Sequence, residues 1–360
     1  MLFIDKNAPN IIHAHNVHVK KTGCRIRRRI GGQKCSDVNC EVCRVNCRTI
    51  SGVPIKLREI LADEQVLSMI LGSEPDELYL LSTIVWQEII PNFSAIDYEQ
   101  FFKARSYKPN KRTVDDWLLV RKYEASYDLL TQIFDYEGWF QNTNNAEHYD
   151  AYCLAVNLDR NTCTYCNRLY TSTMKTRKNK KVMRPTFDHW FSKSKHPLLA
   201  LSFYNLIPSC SICNTSIKGT KEYLLNTHLH PYVDIDCLEQ FQYGYYYLKS
   251  TRQFDVYLSL KPNAPKAFRT CYDLKLREMY NAHHSELADL IRIKTAYSEK
   301  YIENMLKTYS AAGLSHREVY RLAFGTELEE NDFYKRPLSK FKKDILAKLE
   351  LLGFLQNSFT

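Results

Sequence analysis

The sequence has no uninterrupted run of about 18 apolar residues, which is the length that a membrane-spanning helix requires. Its N-terminal stretch, MLFIDKNAPNIIHAHNVHVKK, lacks the charged and then apolar layout of a signal peptide. Internal repeats and low-complexity linkers are absent as well. We therefore expect a cytoplasmic protein with no membrane partner, whose modules pack together without flexible tethers between them.

The missing export signal also bears on the 12 cysteines. In a reducing compartment thiols stay reduced or bind metal, so a disulfide framework is not expected. Most of the cysteines fall in two groups, one formed by Cys163, Cys166, Cys210 and Cys213, the other by Cys35, Cys40, Cys43 and Cys47 with Cys24 upstream. The rest stand alone and are expected to be small buried apolar residues: Cys153, Cys237 and Cys271.

Apolar residues make up 44% of the 360 residues, which predicts a substantial core and two or three packed modules. The net charge of +10 is unevenly distributed: residues 1–60 carry +8 and residues 151–230 carry +9, whereas residues 61–150 carry −9 and residues 231–360 carry +2. Basic blocks of this kind are typical of proteins that bind a polyanion, although Lys and Arg that simply face water give the same counts. The acidic block is expected to avoid nucleic acid and could face a protein.

The first fifty residues show no sustained period and are expected to be irregular. From about Leu57, apolar residues recur at three- and four-residue intervals, and each such stretch follows a residue suited to starting a helix. These stretches are LREILADEQVLSMIL, DELYLLSTIVWQEII and DDWLLVRKYEASYDLLTQIF. They predict an acidic helical bundle of three or more members.

Around Asn161 the helical pattern gives way to short strand-like segments. RLYTSTM and MRPTFDHW flank the basic stretch KTRKNKK, which predicts a hairpin with a positively charged tip. FQYGYYYLKS and FDVYLSL alternate as strands do, and helical patterns return from about Ala267. The expected fold is α+β and mainly helical, with four regions: a Cys- and Arg-rich segment (1–56), an acidic helical bundle (57–150), a central module (151–232), and a strand-containing and then helical region (233–360).

The pairs Cys163–Cys166 and Cys210–Cys213 each place two thiols on one tight turn. Two such knuckles together provide the tetrahedral four-thiolate environment that Zn²⁺ prefers. Redox chemistry and buried free thiols are the alternatives, but neither pair has the βαβ context of a thiol oxidoreductase. The spacing therefore predicts a closed, structural zinc site.

The segment FDHWFSKSKHPLLALSFYNLIPSCSICNTSIKG contains the residue types that phosphodiester hydrolysis requires, namely a base for water and a hard cation for the phosphate. Asp188 can be a carboxylate ligand of Mg²⁺ or Mn²⁺, and His189 can accept a proton at neutral pH. Asn214 and Lys218 are four residues apart and lie on one helix face, where Asn214 could complete the metal ligands and Lys218 could hold a phosphate. Asn205 is polar in an otherwise apolar run and could orient the His189 ring.

The order of these parts resembles the HNH, or ββα-metal, nuclease family. The resemblance extends over about Cys163 to Gly219 and implies a ββα-metal nuclease module that a four-cysteine zinc site braces. Carried over position by position, the family's roles fall on general base His189, metal ligands Asp188 and Asn214, central asparagine Asn205, and basic residue Lys218.

A wider resemblance rests on CTYCNR, on RPTFDHWFSKSKHPLLALSFYNLIPSC, on HPY at His230–Tyr232 and on RPLSK at Arg336–Lys340. These motifs are similar to those of bacterial HNH proteins found alone or beside ATPases, such as the HNH component of Septu-type systems. This likeness implies a role in defence against phage. It also implies an ATPase or sensor partner, for which the acidic helices would be a docking surface.

The N-terminal cluster, Cys35-x4-Cys40-x2-Cys43-x3-Cys47, has the density of a metal site and follows the basic stretch CRIRRR. A small zinc module beside DNA phosphate is one interpretation, and an iron–sulfur cluster or no metal at all are the others. The spacing leaves open which four of the five thiols, Cys24 included, would bind.

The leading hypothesis is thus a metal-dependent DNA endonuclease. Its nucleic-acid-binding residues would be Lys218 and the basic hairpin tip, formed by Lys175, Arg177, Lys178, Lys180 and Lys181. The alternative is a zinc-knuckle protein that binds nucleic acid without cleaving it.

Overall fold

The structure is a computed structural model, and it describes residues 1–142, 149–296, 300–301, 304, 307–309 and 312–351. Helices predominate in these residues, and the strands form three two-stranded antiparallel sheets. The expected mainly helical α+β class is therefore confirmed. Within the same residues, no helix has both the length and the apolar character needed to cross a membrane.

The prediction of an irregular N-terminus is wrong, because residues Pro9–Arg29 form helix α1. Proline suits the first helical position, and three arginines in the last turn complement the helix dipole. The buried face of α1 includes Ile11, Ala14, His18 and Thr22 at three- and four-residue intervals. Two of these four side chains are polar. The sequence therefore lacks the regular repeat of apolar residues by which a helix is predicted.

The acidic region is helical, as predicted. After the short helix α2 (Glu41–Arg44), the chain forms α3 (Ile55–Ala62), α4 (Glu64–Gly72), α5 (Pro75–Ile89), α6 (Ala95–Ser106) and α7 (Val114–Ile133). The first predicted helix is interrupted at Asp63, whose carboxylate accepts hydrogen bonds from the backbone N–H groups of Gln65 and Val66. This N-cap begins a new helix where the apolar pattern alone predicted a continuous one.

The central module begins with α8 (Ala151–Leu158) and contains two short sheets. Strands β1 (Met174–Lys175) and β2 (Lys181–Met183) form a short hairpin around the basic tip, as predicted, but most of the predicted strand MRPTFDHW does not belong to it. Strands β3 (Thr186–His189) and β4 (Leu206–Ser209) pair antiparallel, with Asp188 opposite Ile207. A π-helical turn, Ile212–Lys218, follows β4 directly. Two short 3₁₀ helices, Pro197–Leu199 and Phe203–Asn205, lie between the two strands, and the helical turn comes after the second strand.

The C-terminal region contains the predicted long hairpin and the predicted helices. Among the described residues its elements include β5 (Phe241–Leu248), β6 (Gln253–Leu260), α9 (Pro265–Asp273), α10 (Leu276–Asn281), α11 (His284–Ala296), α12 (His316–Phe324), the 3₁₀ helix Glu330–Lys335 and α13 (Ser339–Lys348).

Asn167, the residue after the first knuckle, joins the central module to the C-terminal region. Its side-chain amide donates hydrogen bonds to the carbonyls of Phe333 and Arg336, at 2.9 Å and 3.1 Å. Its backbone carbonyl accepts from the N–H of Leu338 at 2.6 Å. The RPLSK motif therefore contacts the first knuckle, although it lies about 170 residues further along the chain.

Candidate active site

The central cysteines converge on one point. The Sγ atoms of Cys163, Cys166, Cys210 and Cys213 all lie within 4.8 Å of one another and are buried. The backbone N–H of Arg168 donates to Cys166 Sγ at 3.4 Å, and the N–H of Cys213 donates to Cys210 Sγ at 3.4 Å. The group could hold a zinc ion, and it ties the chain before β1 to the turn after β4.

Asp188 and His189 are neighbours on β3, so their side chains project to opposite faces of the hairpin. Asp188 is only 2% exposed. Its carboxylate accepts a hydrogen bond from the Tyr165 hydroxyl at 2.5 Å. It also forms an ion pair with the Lys218 ammonium at 3.1 Å. Because Tyr165 lies between Cys163 and Cys166, the first knuckle contacts the carboxylate directly.

Lys218 does not have the role that the sequence predicted for it. Its ammonium donates to the carbonyl of His189 at 2.8 Å as well as to Asp188, and the residue is only 2% exposed. In this structure the ammonium is directed at these two acceptors inside the protein and not at solvent. Lys218 instead neutralises the buried Asp188 carboxylate, which would otherwise be strongly destabilised.

His189 is 8% exposed, and its ring packs edge-on against Tyr136 with 4.4 Å between centroids. Ring nitrogen Nε2 lies 2.9 Å from the carbonyl of Ala200. A carbonyl only accepts, so Nε2 carries the proton and Nδ1 is the basic nitrogen of the neutral ring. Burial, with a further contribution from the nearby Lys193 ammonium, lowers the pKa of His189 to about 3. The ring is therefore neutral at pH 7.

The side-chain hydrogen bonds of Asn205 go to backbone groups and not to the His189 ring, which corrects the predicted mode of orientation. Its side chain accepts from Phe191 N at 2.6 Å and donates to Phe191 O at 3.1 Å and Leu199 O at 2.9 Å. These bonds close the loop between β3 and β4. His189 binds the carbonyl of Ala200, and Leu199 is the residue before Ala200. Asn205 therefore positions the histidine through this loop.

Asn214 is half-buried in the turn after the second knuckle, and its amide donates to the carbonyl of Phe187 at 3.3 Å. It therefore lies beside β3, next to the residue that precedes Asp188. A carboxylate and a carboxamide are oxygen donors of the kind that Mg²⁺ and Mn²⁺ prefer, so the donor chemistry of Asp188 and Asn214 fits such an ion. The ammonium of Lys218 now provides the positive charge that the ion would bring to Asp188.

A groove lies beside His189, between α7 and the loop after β3, and its lining includes Tyr136, Glu137, Lys193 and Ala200. Lys193 forms an ion pair with Glu137, and its ammonium lies 4.8 Å from the centre of the Tyr136 ring. Sequence reasoning missed these side chains and also Tyr165. The position of Tyr165 inside the CxxC turn was visible in the sequence, but nothing there indicated the partner of its hydroxyl.

The basic hairpin is only partly as predicted. Lys175, Arg177, Lys178 and Lys180 are exposed. Lys181 instead pairs with the buried carboxylate of Asp150, and its ammonium lies 5.7 Å from the centre of the Tyr152 ring. This lysine is thus committed to the protein, so it is removed from the predicted nucleic-acid-binding set.

The N-terminal cysteines also form a group, but with a different membership. The Sγ atoms of Cys24, Cys35, Cys40 and Cys43 lie within 4.8 Å of one another. Cys47, which was predicted as a member, is outside the group, and its sulfur accepts a hydrogen bond from the Arg25 guanidinium at 3.1 Å. Cys24 takes its place because α1 brings that residue to the loop.

Comparisons with models of protein families, with curated proteins and with solved structures give no match.

Proposed function

We propose that the chain is an HNH-type endonuclease that hydrolyses phosphodiester bonds in DNA. The observation that carries the proposal is the arrangement around β3 and β4. The hairpin bears Asp188 and His189, a helical turn with Asn214 follows it, and four thiols join the segments on either side. This is the order of parts that the HNH resemblance implies.

In this proposal, zinc at Cys163, Cys166, Cys210 and Cys213 is structural, because four thiolates complete its coordination. The ion would fix the geometry of the first knuckle and therefore the Tyr165 hydroxyl. Since that hydroxyl donates to Asp188, the zinc would support the carboxylate without taking part in the reaction.

Asp188 and Asn214 would hold Mg²⁺ or Mn²⁺, which supplies charge stabilisation at the phosphate when bound. For Asp188 to serve this purpose, the ammonium of Lys218 must give up its place beside the carboxylate. The ammonium of Lys218 can still donate a hydrogen bond to the carbonyl of His189.

His189 would accept the proton of the attacking water at Nδ1, while Ala200 holds Nε2. With a pKa of about 3 the ring is a weak base. A phosphate in the groove would raise that pKa, because its negative charge favours the imidazolium and offsets the effect of Lys193. Substrate binding would thus activate the base.

The exposed side chains of the basic hairpin, Lys175, Arg177, Lys178 and Lys180, would contact the DNA backbone. The hairpin ends at Met183 and β3 begins at Thr186, so the basic side chains and the candidate site belong to one continuous stretch of chain. The wider resemblance adds a role in phage defence with an ATPase or sensor partner. The acidic helices α3–α7 expose apolar residues such as Leu80, Trp117 and Leu118, which would suit that contact.

The alternative is a protein that binds nucleic acid without cleaving it. One observation favours it, namely that the ammonium of Lys218 fills the position beside Asp188 where a catalytic ion would act.

Cleavage of supercoiled plasmid and of linear single strands distinguishes the two functions. We expect nicking with Mg²⁺ or Mn²⁺, none with EDTA, and a rate at least about 100-fold lower for His189→Ala. The exposed His13 provides a matched control, and His13→Ala should cleave as wild type does. DNA retention without cleavage under every divalent ion would establish the alternative, and full activity of His189→Ala would refute the mechanism.

A further inference from the structure

The N-terminal thiol group is built from three separate pieces of chain. Cys24 lies in the last turns of α1, Cys35 in the loop that follows, and Cys40 and Cys43 at the start of and within α2. The Sγ atoms of Cys35 and Cys43 are 3.5 Å apart. Three of the four residues are nearly inaccessible, at 2%, 1% and 5% exposure for Cys24, Cys40 and Cys43.

These separations match a shared metal ion. Tetrahedral Zn²⁺ with sulfur ligands at about 2.3 Å places the sulfurs about 3.8 Å apart. All four residues are free cysteines, so no disulfide brings them together. Four thiols at these distances, three of them removed from water, are better explained by a cation that binds them than by apolar packing.

The surrounding chain has little else to order it. Residues 30–40 and 45–54 contain no helix or strand. Arginines of α1 hold part of this loop, since Arg28 binds the carbonyl of Val42 and Arg29 donates to the carbonyl of Arg48 at 2.9 Å. The CRIRRR stretch that suggested a phosphate contact is therefore largely engaged within the protein, and the cysteine group has the position of a structural clip.

We propose that Cys24, Cys35, Cys40 and Cys43 bind one Zn²⁺ in a closed structural site, and that Cys47 is not a ligand. The ion fastens the loop to the C-terminal end of α1. The same helix carries His18, whose Nε2 lies 2.7 Å from the carbonyl of Leu201. Leu201 follows Ala200, the residue whose carbonyl His189 binds. The clip thus holds a helix that contacts the loop between β3 and β4. This inference does not depend on the proposed nuclease activity.

A matched pair of substitutions tests the ligand set, because Cys35 and Cys47 are both half-buried. The full-length protein, purified with a reductant and without added chelator, should contain two zinc ions per chain by elemental mass spectrometry, one for each thiol group. Cys35→Ser should retain one zinc ion and Cys47→Ser should retain two. Loss of zinc from Cys47→Ser with retention in Cys35→Ser would overturn the assignment, as would iron with acid-labile sulfide in the wild type.

A second measurement uses the wild-type protein and so does not rely on a variant that folds. Thiols are alkylated with and without prior chelation, and the labelled cysteines are identified by peptide mass spectrometry. Cys35 should become reactive only after chelation, whereas Cys47 should already react before it. Equal labelling of Cys35 with and without chelator would show that no metal protects it.

Discussion

The hydroxyl of Tyr165 lies 2.5 Å from the Asp188 carboxylate, so a residue inside a cysteine knuckle contacts the candidate catalytic centre. The structural thiol group and the proposed chemistry are therefore joined by one hydrogen bond. The charge on the acceptor makes this bond stronger than a hydrogen bond between neutral groups.

Tyr165→Phe removes this bond and leaves the thiols in place. A hydrogen bond to a charged group is worth about 1.5–3 kcal/mol, so we expect DNA cleavage to slow by about 10- to 100-fold. Zinc content should not change. The activity should respond to higher Mn²⁺ concentration if the hydroxyl orients Asp188 for the ion. Tyr170→Phe is the control, because that residue is 58% exposed, and it should cleave at the wild-type rate.

Lys218→Met leaves the Asp188 carboxylate buried without a cationic partner. Breaking such a pair costs about 3–5 kcal/mol, which we expect as a loss in the free energy of unfolding measured with denaturant. Mn²⁺ should restore more stability to this variant than to the wild type, since the ion no longer competes with an ammonium.

Lys221→Met serves as the control for that experiment. The Lys221 ion pair with Asp273 is exposed and contributes about 1 kcal/mol or less. If Mn²⁺ stabilises Lys218→Met no more than it stabilises the wild type and Lys221→Met, Asp188 does not bind the ion.

Buried histidines should make the protein less stable in acid. Burial lowers the pKa of His18 to about 4, with a small contribution from His15, against an unfolded value of 6.5. Between these values the unfolded state binds the proton and the folded state does not, so stability is full above pH 6.5 and falls as the pH drops toward 4. At pH 5 the loss from His18 alone should be about 2 kcal/mol.

His18→Gln does not titrate in this range and should reduce the difference in unfolding free energy between pH 7 and pH 5 by that amount. The measurement compares denaturant unfolding at the two pH values, with the exposed His13→Gln as control. An unchanged pH difference in His18→Gln would contradict the assignment.

The basic hairpin should act through charge alone. Replacing Lys175, Arg177, Lys178 and Lys180 with alanine should weaken DNA binding and reduce the slope of log affinity against log salt by about 3 to 4. Lys181→Ala should leave the salt slope unchanged and should lower the melting temperature, because it leaves the buried Asp150 without its ion pair. Fluorescence anisotropy at several salt concentrations measures the first effect and thermal unfolding the second.

Sequence reasoning succeeded where the pattern itself reflects the packing. The acidic helices and the long β5–β6 hairpin follow from apolar periodicity and turn chemistry, whereas the prediction of the basic hairpin gave Thr186–His189 the wrong partner strand. Helix α1 was missed because histidine, threonine and arginine share its buried side. The convergence of four cysteines was predictable only for the central group, where two CxxC turns define the ligands.

Side-chain partners were the part that sequence could not supply. Asn205 and Lys218 were predicted to be functional positions, but their contacts depend on which strand pairs with β3 and on how deeply the following turn is buried. Cys24 replaced Cys47 because a helix that the pattern did not reveal brings it to the loop. In both cases, separation along the sequence does not predict which side chains are in contact.

The bonds of Asn167 also set an order of events during synthesis. Its partners from Phe333 to Leu338 leave the ribosome long after the first knuckle does, and until then its side-chain amide has only Thr162 of its three hydrogen-bond acceptors. A nascent chain that ends before this segment therefore has an incomplete central module. Any enzymatic activity of that module would thus require residues 333–338 as well as the module's own residues.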